Sequence, residues 1–272
     1  HSAPTLTAET DIDALIARYG NRIGFVVDAC QARITSAAIA AYLTRGAVVL
    51  LTGSKFMGGE PFSGFALIPR PVAARIAPLG EGMATIFRRG ELPAGWAGTD
   101  RLPHTGNAGL TVRLEAALFE LERFQALAFT DIARIIELFR VASLDLVERI
   151  GGTRVLPYPV GDREQAGSHP IEMRTLTTID LSGEGRAIDF DGATAIQMAM
   201  MADSVRLGQP VKCARFQGLD MAGKVRGTLR VGISMPQIVT LAGMPTPEAE
   251  RALSRDMDTI ERAFDKALAS LA

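Results

Sequence analysis

Residues 23–55 read IGFVVDACQARITSAAIAAYLTRGAVVLLTGSK, and this stretch decides the fold. IGFVVDAC is a short apolar run rich in β-branched residues, which predicts a strand. SAAIAAYLTRG carries helix formers and closes on Gly46, the residue type that ends helices in the left-handed region. AVVLLTG is a second continuous apolar run. Strand, helix, strand with all-apolar strands predicts a parallel sheet covered on both faces, hence α/β architecture. TGSK then places Lys55 just past the carboxyl end of the second strand, where open α/β sheets bind their ligands.

Working outward, DIDALIARY over residues 11–19 has apolar positions at helical spacing behind an acidic start, which predicts a helix leading into the first strand. FSGFALIP, after a Gly/Pro-rich turn, predicts a return strand of the same sheet. From Pro69 to Gly109 the chain is rich in Gly, Pro and Arg with little periodicity beyond PVAARIAP, so long ordered loops are expected. LTVRLEAALFELERF and TDIARIIELFRVASLDLVERIGG place apolar residues at i, i+3, i+4 and i+7, predicting two consecutive helices. Beyond them, RTLTTIDL, QPVKCARF and GTLRVGIS read as strands. TAIQMAMMADSVRLG and PTPEAERALSRDMDTIERAFDKALASL read as helices, together the mixture of a smaller α+β domain. The expected division is residues 1–140 for the first domain with a connecting helix, and 141–272 for the second.

Composition narrows the function classes. The chain has 272 residues, 47% of them hydrophobic, enough to bury one large core or two smaller ones. With 29 basic and 30 acidic side chains the formal net charge is −1, and no dense Lys/Arg run tracks a phosphate backbone, so nucleic acid is not an expected partner. No apolar run reaches the ~20 residues of a membrane helix, and the first residues lack the basic start and apolar stretch of a signal peptide. Cys30 and Cys213 lie far apart in apolar surroundings, as reduced thiols of a cytoplasmic protein do. His1, His104 and His169 are scattered without ligand spacing, so no metal is expected. PFSGF lacks the nucleophile-elbow pattern, which removes a Ser-His-Asp hydrolase from consideration.

Lys55 admits three readings on its own: a solvated surface charge, a hairpin-like turn, or a reactive amine. A nucleotide P-loop fails, because Ser54 precedes the lysine and Phe56-Met57-Gly58-Gly59 is a poor helix start. Asp28 at the end of the preceding strand, with Gln31 three residues on, changes the balance. Asp-x-x-Gln, then helix and strand, then a Ser/Thr-rich turn ending in Lys resembles the pyridoxal-5′-phosphate (PLP) core of class V aminotransferases and cysteine desulfurases, fold-type I enzymes.

The resemblance implies roles. Asp28 would pair with the protonated pyridine nitrogen, Gln31 would bond the ring's 3′-oxygen, and Lys55 would form the Schiff base and carry protons afterwards. A lysine at the mouth of an apolar strand is expected to be desolvated, which frees its amine to attack an aldehyde. Thr52 and Ser54 would contact the cofactor, Thr52 at its phosphate. Ser54 stands where the desulfurase branch has histidine, a departure from that branch. HTGNAGLTVRLEAAL resembles the segment that lends a hydroxyl, here Thr105, to the phosphate in a neighbouring subunit, and so implies a homodimer; by itself Thr-Gly-Asn ahead of a helix also reads as an N-terminal cap. TLRVGIS resembles the strand whose arginine, here Arg230, grips the substrate α-carboxylate; such an arginine also reads as a solvated charge.

The implied fold is the later part of a PLP-transferase large domain plus a small carboxy-terminal domain. The implied activity is transfer of an amino group from an amino acid or related amine. A PLP-dependent lyase and a non-catalytic scaffold that kept the fold stay open. A lyase of the desulfurase type would want a mobile cysteine, and Cys213 in QPVKCARF reads as packing in a strand. The phosphate-holding turn and ring-stacking residue that such enzymes place before the Asp-x-x-Gln strand have no candidate among the residues ahead of Asp28, so a missing amino-terminal half is expected to supply them.

Overall fold

The computed structural model describes residues 9–155, 174–183, 185–213 and 223–271. The chain divides into two compact units, and the boundary falls between Glu122 and Arg123. That is inside the first of the two long helices and ahead of the expected division near residue 140. The reason lies in the second long helix, Phe129–Arg149, which buries Ile135, Ile136, Phe139, Leu146 and Val147 and packs on helices of the carboxy-terminal unit.

The first unit is α/β. Helix α1 (Glu9–Tyr19) precedes strand β1 (Val26–Asp28), helix α2 (Ser36–Thr44), strand β2 (Val48–Thr52) and strand β3 (Gly64–Leu67). The sheet order is β1-β2-β3. β1 and β2 are parallel, with Val26, Val27 and Asp28 opposite Val48, Val49 and Leu50. β3 returns antiparallel to β2. α2 forms where its composition predicts: Thr35 Oγ1 accepts the Ala38 N–H at 3.2 Å as N-cap, and Gly46 takes φ 78° just past the end. Arg45 at that end also holds Asp13 of α1 at 2.8 Å.

Side chains alternate along β2. Val49 and Leu51 are buried while Val48, Leu50 and Thr52 are half-buried. Through the register, Val26 and Asp28 share the face of Val48, Leu50 and Thr52. Val26 on that face is 66% exposed. The expectation of a mostly parallel sheet covered on both faces is therefore corrected: one face is packed, the other is open at β1, and one of the two strand pairs is antiparallel. Continuous apolar strands announced burial on both sides, but among the described residues no element covers Val26.

Between β3 and the first long helix lie a one-turn helix α3 (Arg70–Ala73) and 3₁₀ turns at Glu81–Thr85, Arg89–Glu91 and Thr99–Arg101, the ordered loops that the Gly/Pro-rich composition predicts. Helix α4 (Ala108–Gln125) follows.

The carboxy-terminal unit contains α5 (Phe129–Arg149), β4 (Thr153–Arg154), β5 (Leu176–Asp180), α6 (Phe190–Ala202), β6 (Thr228–Gly232), α7 (Met235–Ala242) and α8 (Thr246–Leu271). Its sheet, ordered β4-β5-β6, is antiparallel. Thr177, Ile179, Leu229 and Val231 alternate onto one buried face. α5 packs against β5, α6 against β6, and α8 against both helices. α8 buries Ala249, Leu253, Met257, Phe264 and Ala267, the helical stripe visible in its sequence. Full burial of Phe264 alone contributes roughly 2–3 kcal/mol. Arg149 ties α5 to α8, meeting Asp258 at 2.9 Å and also Glu261.

Two readings of this unit change. Residues 209–213 of the expected strand QPVKCARF lie in no strand; Gly208 makes only an isolated bridge to Arg230, and the end of that segment lies outside the described residues. Helix α7 was not foreseen, although Ser234 and Gln237 form a capping box at its start, a signal present in the sequence as Ser-x-x-Gln. His169 lies outside the described residues. Among the described residues no helix is long and apolar enough to cross a membrane, and no group of His, Cys, Asp or Glu side chains could hold a metal ion.

Candidate functional site

β1 and β2 run parallel, so Asp28 at the end of one and the Thr52–Lys55 turn after the other emerge at the same end of the sheet. Asp28 and Thr52 also share its open face. The structure thus brings together Asp28, Gln31, Thr52, Ser54 and Lys55 within one unit.

Two short turns shape the site. After β1, the Asp28 carboxylate accepts the Cys30 N–H at 3.0 Å, and the Ala32 N–H reaches the Ala29 carbonyl at 2.8 Å. Ala32 closes this turn with φ 55° while buried. An alanine in the left-handed region costs about 1–2 kcal/mol, a strain held beside the candidate residues by the surrounding contacts. After β2, Thr52 Oγ1 and Ser54 Oγ lie 2.9 Å apart, and the Ser54 N–H points at Thr52 Oγ1 at 3.3 Å. The two turns are joined: the Phe56 N–H donates to the Gln31 carbonyl at 3.3 Å, and the Arg33 guanidinium lies 4.6 Å from the centre of the buried Phe56 ring.

The Lys55 loop rests on α4 through two glycines. A Cβ on Gly53 would stand 2.3 Å from Ala117 Cβ, and one on Gly59 would stand 2.7 Å from Ala117 Cβ and 2.9 Å from its Cα. Gly53 also donates to the Ser63 carbonyl, and Gly59 to the Gly53 carbonyl. The backbone on both sides of Lys55 is therefore pressed against the helix, which requires glycine. Sequence reading passed over this: the Gly-Gly pair at 58–59 reads as a loop, and nothing local announces that Ala117 is the neighbour.

Electrostatically the site is polarised. Hydrogen bonds from the Cys30 thiol and then its backbone N–H hold the Asp28 carboxyl below the usual carboxylate range, and the Lys55 ammonium adds to this. Burial, followed by the same carboxylate, pushes the Cys30 thiol up, with Lys55 opposing. Asp28 is an anion at neutral pH and Cys30 a protonated thiol. Lys55 itself is exposed, so the desolvation expected of it at the mouth of the strand is corrected.

Alkylation should expose this arrangement. At about pH 8.5, where an ordinary thiol is half ionised, iodoacetamide is expected to modify Cys30 more slowly than a free cysteine, and Asp28→Asn to recover part of the difference. Peptide mapping of the time course decides it; equal rates in both proteins would show that the carboxylate does not govern the thiol.

Thr105 is exposed in the loop ahead of α4. The cap of that helix is Asn107, whose Oδ1 accepts the Leu110 N–H at 3.1 Å while its amide donates to Glu91. Asn107 therefore fills the capping role left open for this segment. Beside Thr105, one Arg89 terminal nitrogen lies 3.0 Å from His104 Nε2 and 3.5 Å from Nδ1. Both distances are short at once only if the guanidinium sits over the ring face.

Arg230 belongs to the other unit. It is half-buried on β6, and desolvation lowers its pKa. Its Nε donates to the Gln209 carbonyl at 2.8 Å. It is not the solvated surface charge that an edge strand would suggest. The Cys213 thiol donates to the Arg226 carbonyl at 3.6 Å.

Compared with known proteins, the chain matches no described protein family and no curated protein.

Proposed function

We propose that the first unit carries the ring-facing half of a PLP site and that the protein is a PLP-dependent enzyme acting on an amino acid or related amine, with transamination as its reaction. The observation that carries this reading is the ionised Asp28 carboxylate in electrostatic reach of the Lys55 amine, at the shared carboxyl end of two parallel strands. The resemblance of the Asp-x-x-Gln and TGSK segments supports it. The donor set fits the group: one carboxylate for a cationic ring nitrogen, one amine for an aldehyde, and two hydroxyls beside them.

PLP, when bound, supplies the aldehyde and the electron-withdrawing ring. The chain's own residues do the rest. Asp28 would set its negative charge against a pyridinium nitrogen, and the Cys30 N–H bonds one oxygen of the carboxylate at 3.0 Å. Gln31 is tied to the Lys55 turn through its carbonyl, which accepts the Phe56 N–H. The Thr52 and Ser54 hydroxyls face each other and can each turn a lone pair or proton toward a bound group. Lys55 Nζ is the covalent anchor and, when free, the base that takes and returns a proton at the reacting carbon. By the resemblance, Thr105 would serve the cofactor phosphate across a homodimer, and Arg230, on the carboxy-terminal unit, is the candidate to grip a carboxylate.

Borohydride reduction of the full-length protein after incubation with PLP tests the reading. The expected result is a yellow protein that bleaches on reduction and carries the reduced cofactor on Lys55 by peptide mass. The exposure of Lys55 favours a second reading, a scaffold that kept the fold without the cofactor. A colourless full-length protein with unmodified Lys55 would establish that second reading and end the first.

A further inference from the structure

The carboxy-terminal sheet has a polar face as well as its packed one. Thr178 on β5 stands directly opposite Arg230 on β6, so their side chains leave the same face as a cross-strand pair with Cβ atoms about 5 Å apart. Asp180 and Thr228, the next pair on that face, are already engaged. Asp180 binds Arg226 at 3.0 Å, and Thr228 Oγ1 exchanges hydrogen bonds with the N–H and carbonyl of Val211. Arg230 and Thr178 differ. The guanidinium makes one bond, through Nε to Gln209, and among the described residues its two terminal nitrogens and the Thr178 hydroxyl have no partner. A half-buried guanidinium fixed at Nε and unengaged at its fork presents the geometry that takes an oxyanion in bidentate fashion.

What fixes the fork is the segment at Gly208–Gln209. The Gly208 N–H donates to the Arg230 carbonyl at 2.9 Å, which brings the Gln209 carbonyl under Nε. The approach is tight: a Cβ on Gly208 would lie 3.1 Å from Arg230 Cβ, 3.3 Å from its carbonyl oxygen and 3.5 Å from Nε, so Arg230 would have to give by a few tenths of an ångström. Gln197 on α6 holds the same segment from the other side, its amide donating to the Leu207 carbonyl at 3.1 Å.

We propose that Gly208 and Gln209 are positioning residues that lock the Arg230 guanidinium with its fork outward, and that the Thr178 hydroxyl is the second donor of a monocarboxylate site on this face. The inference rests on the reading of Arg230 as the carboxylate grip and adds the parts that make it a site. It is independent of the chemistry at Lys55, because every residue in it belongs to the carboxy-terminal unit.

Propionate, with chloride at matched ionic strength as control, is the probe. The Arg230 Nε–H resonance in the full-length protein, assigned by its loss in Arg230→Lys, reports both the lock and the ligand. The unliganded protein is expected to show a slowly exchanging Nε–H, and propionate to shift it saturably while chloride does not. Thr178→Val should weaken propionate about ten- to hundredfold and Thr178→Ser restore it, as loss and return of one charge-assisted hydrogen bond require. Gly208→Ala should abolish the slow exchange and weaken binding about tenfold with the melting curve of the fold retained. If propionate binds and Arg230→Lys removes it while Thr178→Val and Gly208→Ala bind like the parent, the positioning inference is overturned and the carboxylate reading survives. If propionate fails to bind the parent protein, the carboxylate reading of Arg230 falls and this inference with it. Thr178→Val, a near-isosteric change, keeps the test decisive should Gly208→Ala not fold.

Discussion

Gly53→Ala is expected to destabilise the protein by about 3 kcal/mol, the upper end of what forcing one extra carbon into a packed contact costs, with a fall in melting temperature of roughly 6–12 °C for a chain of this size. The new Cβ would have to occupy a point 2.3 Å from Ala117 Cβ, and neither atom is the end of a flexible side chain. Relief is available in one direction. Removing the opposing carbon in Gly53→Ala/Ala117→Gly takes away the collision, leaving the Ser63 hydroxyl at 3.0 Å and about 1 kcal/mol for a glycine inside α4. The double variant should therefore melt above the single one. Gly59→Ala should behave differently, because its Cβ would meet the Ala117 Cα at 2.9 Å and the Gly53 carbonyl at 3.0 Å, and Ala117→Gly removes neither. Urea melts of the three variants and the two doubles separate these cases. A Gly53→Ala protein as stable as the parent, or equal rescue at both glycines, would mean that the loop does not press on the helix in this way.

Legibility follows the range of the interactions involved. α2 was readable because the signals read for it are local: apolar helix formers and Gly46 at the end. The adjacency of Asp28 and Lys55 was readable too, since two apolar strands joined by one helix leave little choice except parallel pairing with both carboxyl ends together. The glycine contacts at Ala117 and at Arg230 were not. Each depends on a partner distant in sequence, and a glycine that admits another backbone looks the same in a sequence as one that turns a loop. QPVKCARF misled for the opposite reason: its apolar and aromatic residues promised a strand, but its described part, residues 209–213, lies in no strand and is held through Val211 to Thr228 Oγ1 and through the Cys213 N–H to the Arg226 carbonyl. The exposure of Lys55 also escaped, because placing a residue after a strand fixes where its backbone leaves the sheet and not where its side chain turns.

Asp28→Asn is expected to lower the affinity of the full-length protein for PLP by about 10–100-fold, the range that follows from losing a hydrogen bond to a charged group worth about 1.5–3 kcal/mol; Lys55→Arg should abolish covalent trapping altogether while leaving the fold intact, because Lys55 is exposed. The isosteric amide keeps the size of the side chain and removes the charge that a cationic ring nitrogen would face. The pH dependence gives a second, independent sign. The folded-state carboxyl of Asp28 is depressed, by the Cys30 thiol first, its N–H next and then Lys55. Its contribution to stability is therefore complete above the ordinary aspartate range near ~3.9 and is lost only as pH falls through the lower folded value. Cys30, raised by burial and by the same carboxylate, works the other way: its contribution is complete below the ordinary thiol range and is lost as pH rises through the raised folded value. PLP retention by the parent should consequently stay level on the Asp28 side from neutral pH down to about pH 4, whereas Asp28→Asn should start low and show no acid limb from this group. Fluorimetric PLP titrations of both proteins across that range measure it. An Asp28→Asn protein that binds PLP as tightly as the parent would show that the carboxylate faces no ring nitrogen, whatever Lys55 does.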